Sequence, residues 1–177
     1  MSTCQYHHQV ILAVILRSKA TGQEIVLSTT HLKAKLEALR SSFRTEQSAD
    51  LLAWLESVRG GRPVILTGDL NGLPSEQFYS VLTGSPDLPL VSSYRVREED
   101  GGEGGRVEYT TWKIREEQGE QKHILDYILH TPGQLETINT LEVPGGDQLG
   151  EDRLPSPQYA SDHLSLVADI ALLSYIN

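Results

Sequence analysis

Only one cysteine, Cys4, occurs in the 177 residues, so no internal disulfide can form and no cysteine-rich metal site can be built. Basic residues are outnumbered, 15 against 24 acidic ones, for a net charge of -9. That excludes tight, nonspecific binding to a polyanion while leaving room for a local basic pocket. Phenylalanine and tryptophan are scarce, two of each, and no arginine-rich tail or aromatic series is present to track a single nucleic-acid strand. Long apolar runs are also missing. The longest, residues 10–16, is too short to span a bilayer and is followed by Arg17 and Lys19. The opening Met-Ser-Thr-Cys-Gln-Tyr-His-His lacks a basic n-region and a small-residue cleavage site, so the chain is expected to be intracellular, with no membrane contact. Repeats and linkers are lacking as well, which leaves one domain over residues 1–177. What is present is the ordinary mixture of a globular protein, 38% hydrophobic and 22% charged.

Residues 10–16 and 24–30 are β-branched, apolar segments separated by Ser18-Lys19-Ala20-Thr21-Gly22, and they predict a hairpin. Over residues 35–58, Leu36, Leu39, Phe43, Leu51, Leu52, Leu55 and Val58 recur mostly at three- and four-residue steps. This predicts an amphipathic helix, ended by Gly60-Gly61. Pro63-Val64-Ile65-Leu66-Thr67 has no alternation and fits a strand buried on both faces. Ser75 is placed to cap a short helix through Leu82, and a weaker strand follows at residues 91–94. Residues 98–105 hold four glycines and four acids, predicting a mobile acidic loop. Residues 107–114 and 123–130 predict two strands joined by an acidic turn at 116–120, residues 132–157 read as mostly irregular, and residues 164–172 predict a last core strand.

Four polar clusters sit at or just after strand-like runs: Thr29-Thr30-His31-Leu32-Lys33, Gly68-Asp69-Leu70-Asn71, Leu125-Asp126-Tyr127-Ile128 and Ser161-Asp162-His163-Leu164. Each alone has an ordinary structural explanation as a turn or a cap. Together they offer carboxylates, an amide and histidines that could converge on one phosphate. Asp126 interrupts an apolar stretch, where an ionised carboxylate is costly without a partner. His163 is the leading candidate for that partner.

The order Thr-His-Leu-Lys, Gly-Asp-Leu-Asn, Leu-Asp-Tyr-Ile, Ser-Asp-His-Leu resembles the second half of the endonuclease/exonuclease/phosphatase superfamily, from about residue 9 to about residue 168. Tyr109-Thr110-Thr111-Trp112-Lys113-Ile114-Arg115 and Arg153-Leu154-Pro155-Ser156 are similar to its nocturnin and deadenylase branch. The resemblance implies an α/β fold of the DNase I type: a two-sheet β-sandwich flanked by helices in four αββα layers, here without the N-terminal part of the domain. It also implies magnesium-dependent hydrolysis of a phosphate ester. Asp69 would activate the attacking water, and Asn71 would hold that water or a phosphate oxygen. His163 would stabilise charge on the phosphate with Asp126 fixing its ring, His31 would contact the phosphate from the other side, and Asp162 would touch the metal or its water.

By the same resemblance Lys33, Lys35 and Arg115 would contact a phosphorylated dinucleotide. Lys35 stands where arginine is more usual, exchanging a bidentate grip for a point charge. The substrate implied is NADP(H), losing its 2'-phosphate. The alternatives are the 3' end of poly(A) RNA, or a catalytically silent truncated form. The principal magnesium ligand of the superfamily is a glutamate expected outside this chain, since Glu24, Glu37 and Glu46 do not occupy that motif. Without it magnesium affinity should collapse, and strands should be left with open edges and an uncovered apolar face. No obligate protein partner is implied. The location expected is cytoplasmic, or mitochondrial if the parent carries an upstream targeting segment.

Overall fold

The computed structural model describes residues 9–34, 38–96 and 105–173. A hairpin of β1 (Ile11–Arg17) and β2 (Glu24–Thr30) opens the chain, in the register Ile11 opposite Thr30 through Arg17 opposite Glu24. Helix α1 (Ala38–Arg59) then crosses over to β3 (Val64–Asp69), which pairs parallel with β2. A parallel pair needs a long connection, and the helix supplies it. Next come α2 (Gln77–Thr83) and β4 (Val91–Ser92). A separate ribbon of β5 (Thr111–Arg115) and β6 (Gly119–His123) follows, then β7 (Asp126–His130), which inserts antiparallel between β3 and β4. The main sheet therefore runs β1-β2-β3-β7-β4. A second ribbon, β8 (Leu135–Thr140) with β9 (Ala168–Leu172), flanks α3 (Gly146–Leu149) in the chain. Among the described residues no helix is long and apolar enough to cross a membrane.

One face of the sheet buries Val26, Val64, Leu66 and Leu129 with Leu51 and Leu55 of α1 and Phe78 and Leu82 of α2. Across the other face Ile25 and Ile65 line a groove with Leu135, Ile170 and Leu172 of the β8–β9 ribbon. Of the four αββα layers expected, the described residues show helices on one face of the main sheet and the β8–β9 ribbon by the other. Among the described residues β1 ends the sheet, and Leu12, Val14, Ile15 and Leu16 are exposed along it.

Several local expectations need correction. The buried stripe of α1 is not apolar throughout, because its first half is filled by Arg44 and Ser48, both fully buried, while Leu39 and Val58 are exposed. The N-cap of α2 is Glu76 rather than Ser75, and Glu76 makes no side-chain cap bond. Its carboxylate instead accepts the Leu73 N–H at 3.0 Å and the Arg44 guanidinium at 2.5 Å. The segment expected as one strand at 123–130 is split, since β6 ends at His123 beside β5 and β7 begins at Asp126 in the main sheet. Residues 132–157 are mostly irregular, as expected, and contain β8 and α3. In residues 164–172 only Ala168–Leu172 is strand. Lys35, Leu36 and Glu37, and the acidic loop except for Gly105, lie outside the described residues.

Candidate active site

Asp69 ends β3 and Asp126 begins β7, and the antiparallel register places them directly opposite each other. Two carboxylates facing across a ladder repel. Burial first, and then the charge of Asp126, push the Asp69 carboxyl above its usual range, against the opposing pull of the Asn71 N–H, His163 and His31. Asp126 finds the partner expected of it. His163 Nδ1 donates to Asp126 Oδ2 at 2.8 Å, and Nε2 has no hydrogen-bond partner among the described residues. The hydrogen bond to Asp126 raises the His163 pKa, with burial opposing. His31, at the end of β2, sets Nε2 3.4 Å from Asp69 Oδ2.

Asn71 takes a left-handed backbone, φ 52°, and its N–H donates to Asp69 Oδ1 at 2.9 Å, an Asx turn that aims the carboxylate. Its Nδ2 donates to the Leu32 carbonyl at 3.1 Å, so the side chain presents its oxygen to the site. Behind Asp69, Gly68 has φ 146°, and a β-carbon there would stand 1.9 Å from the Thr30 carbonyl oxygen. Only glycine lets the ends of β2 and β3 approach so closely. Gly68→Ala is expected to destabilise the protein by about 2–3 kcal/mol. An unchanged denaturant midpoint would refute that close approach.

Asn71, Thr111, Lys113, Arg115, His123 and His163 are among the residues lining a cavity of about 620 Å³. Arg115 is exposed there and has no ion pair or side-chain hydrogen bond among the described residues. Lys33 lies beside the cavity without lining it, although its neighbour Ala34 does; its backbone is tied to Gln47 and Arg44. Lys35 is outside the described residues. Asp162, expected at the metal, instead accepts from Lys113 Nζ at 2.5 Å, and that bond holds its carboxyl below the usual range. Lys113 and His123 were not singled out from the sequence. Strand periodicity held the signal, because Thr111, Lys113 and Arg115 alternate on one face of β5 and His123 is the cross-strand partner of Thr111.

Among the described residues one group could hold a metal ion: Asp69, Asp126 and His163 bring ligand atoms within 4.8 Å of one another. The donor set fits a hard divalent cation through its two carboxylates, whose mutual repulsion such a charge would relieve. The group contains no glutamate.

Residues 31–163 match the Endonuclease/Exonuclease/phosphatase family. The chain belongs to this family. The match spans the four polar clusters from His31 to His163, and the mixed α/β architecture is that of the family's DNase I-like neighbours. Within the family the chain is 42% identical to Nocturnin of Drosophila melanogaster over 94% of its own length and 28% of the relative's. To Nocturnin of Homo sapiens it is 40% identical over 93% of its length and 37% of the relative's. The solved catalytic domain of human Nocturnin with bound sulfate superposes with a TM-score of 0.71 at 34% identity, covering 93% of this chain and 53% of that one. A structure of ANGEL2, a 2',3'-cyclic phosphatase, shares the fold with a TM-score of 0.72 at 22% identity, covering 93% of this chain and 61% of that one. The chain thus spans about half of the solved nocturnin domain and less than half of the curated nocturnins.

Proposed function

We propose that the protein carrying this chain hydrolyses a phosphate ester with magnesium and removes the 2'-phosphate of NADP(H). The observation that carries this reading is the Asp126–His163 pair set beside the raised carboxyl of Asp69, at a cavity walled by Lys113 and Arg115. The identity of about 40% to nocturnins supports it.

Asp69 accepts the proton of the attacking water, a task suited to a carboxyl whose affinity for protons is raised. His163, kept protonated by Asp126, donates from Nε2 to a phosphate oxygen as negative charge develops there. His31 approaches from the Asp69 side, and the Asn71 oxygen orients the water. Asp69 and Asp126 are the groups that would hold the magnesium and its water shell, and a bound ion would neutralise phosphate charge. Arg115, which has no side-chain partner among the described residues, contributes a guanidinium for a second anionic group of the substrate, and the family resemblance adds Lys33 and Lys35 to the same task.

The test is phosphate release from NADPH with magnesium by the full-length protein, with Asp69→Ala as the control and poly(A) shortening measured beside it at equal salt. Release from NADPH without shortening is expected. Shortening alone would transfer the reading to a 3' exoribonuclease, and neither activity would leave the chain a silent member of its family.

The pH profile follows from two shifts of the same sign. Asp69 must be ionised, so activity falls as pH drops through its pKa, which burial and Asp126 raise in the metal-free protein and which a bound cation would lower. His163 must be protonated, so activity falls as pH climbs through its raised pKa, placing the alkaline limb above the ordinary imidazole value. A bell-shaped kcat/KM is expected, and Asp126→Asn should draw the alkaline limb downward because it removes the largest cause of the His163 shift. An alkaline limb unmoved in that variant would contradict the assignment.

A further inference from the structure

We propose that Thr110 and Thr111 are positioning residues that hold the Asp126–His163 pair in register, by tying the two separate chain segments that bear its members to one point where the chain enters β5. The pair spans 37 residues of sequence, and its two members do not belong to one sheet. Asp126 begins β7, whereas His163 lies outside any strand. Something other than a ladder must therefore set their 2.8 Å contact.

Every polar group of Thr110 is spent on this task. Its Oγ1 accepts the N–H of Leu125 at 2.9 Å and that of Asp126 at 3.1 Å. Its carbonyl accepts the N–H of Leu164 at 2.8 Å, on the C-terminal side of His163, and its own N–H donates to the His123 carbonyl at 2.8 Å. Thr111 completes the clasp from the other side, with Oγ1 donating to the Asp162 carbonyl at 2.8 Å. Residues 162 and 164 are thus both anchored, and His163 is held between them. Thr110 is fully buried and Thr111 nearly so, so water cannot replace these bonds readily. The Thr110 hydroxyl is bonded to the Leu125 and Asp126 amides and the Thr111 hydroxyl, although Thr111 lines the cavity, to the Asp162 carbonyl, which makes the role one of orientation.

The anchoring point is itself braced. The Trp112 ring lies under the Lys122 ammonium and the Arg153 guanidinium, at 4.5 and 4.3 Å from its centroid. Glu120 Oε1 accepts from both Trp112 Nε1 and Arg153 Nε. The Trp112 carbonyl accepts the Leu154 N–H at 3.0 Å. The two segments that resemble the nocturnin branch, one around Trp112 and one around Arg153, meet here and stiffen the strand that begins beside Thr110.

The inference rests on the reading that Asp126 and His163 act as a pair, and the experiment separates the two. In the full-length protein, Thr110→Val removes the hydroxyl and keeps the branched shape, while Thr110→Ser keeps the hydroxyl. Two quantities are measured: NADPH turnover, and the low-field NMR signal of the His163 Nδ1 proton held by Asp126, which requires no substrate. Thr110→Val is expected to lower kcat by about 10- to 100-fold with little change in KM and to abolish or shift the signal, and Thr110→Ser to restore both. Thr111→Val, acting on the other tether, is expected to shift the signal in the same direction and carries the test if Thr110→Val does not fold. A signal unchanged in both valine variants, or a serine variant as impaired as the valine one, overturns the proposal. A signal that responds to Thr110 in a protein without NADPH turnover upholds the clasp and overturns only the substrate.

Discussion

Asp69→Asn is expected to lower kcat for phosphate release by about 10²- to 10⁴-fold, the range over which a positioned general base contributes, while leaving the protein more stable than its parent in the presence of a chelator. The two effects oppose each other for one reason. The folded chain holds the Asp69 proton more tightly than an ordinary carboxyl, because burial and the facing Asp126 both disfavour the charge. Once pH exceeds the ordinary carboxylate value, ionising Asp69 therefore costs folding free energy, and that cost is fully present above the raised pKa. A neutral amide removes it and keeps an oxygen to accept the Asn71 N–H. Parallel melts and rate measurements check this. A variant that loses activity and melting temperature together would show Asp69 to be a structural group.

Arg44→Ala is expected to destabilise the protein by about 3–5 kcal/mol, the cost of breaking a buried ion pair from one side. Arg44 is fully buried, and Glu76 is mostly so, with their closest contact at 2.5 Å. The guanidinium also donates to the Lys33 carbonyl at 2.9 Å, and its Nε would lie 2.8 Å from any β-carbon at Gly72. One side chain on α1 thus joins the loop that carries His31 and Lys33 to the loop that follows Asp69 and Asn71. Its removal strands the Glu76 carboxylate and opens a void between two segments of the site. Arg17→Ala, which breaks the exposed pair with Glu24, is the contrast and should move the midpoint far less, because solvent screens that pair. Equal shifts in the two variants, read by denaturant unfolding, would refute the role of burial.

Much of the fold was legible because its signals are local. The β1–β2 hairpin, the extent of α1 to Arg59 before Gly60-Gly61, and the apolar β3 run each follow from composition and spacing within a dozen residues or so. The Asp126–His163 pair was also legible, since a carboxylate in an apolar stretch demands a partner and a histidine is the natural one. The misreadings share a cause as well. Residues 123–130 carry one continuous β-like pattern, yet Thr110 draws the amides of Leu125 and Asp126 to itself, and the ladder breaks there. Glu76 forgoes a capping role because a buried arginine 32 residues away claims its carboxylate. Ranked by hydrophobicity alone, Arg44 and Ser48 would never be placed on the buried face of α1.

The residue types alone determined the chemistry on offer: carboxylates, imidazoles and an amide at strand ends, a scarcity of cysteine, and no surplus of positive charge. They also determined the order of elements, since hydrophobic period and turn residues act over a few positions. Only the tertiary structure decided which groups touch. It set Asp69 against Asp126, joined Asp162 to Lys113, left Arg115 without a side-chain partner among the described residues, and made Thr110 the knot between distant segments. The physical reason is that hydrogen bonds and ion pairs act over about 3 Å, and no pattern along the chain states which residues tens of positions apart will be brought within that reach.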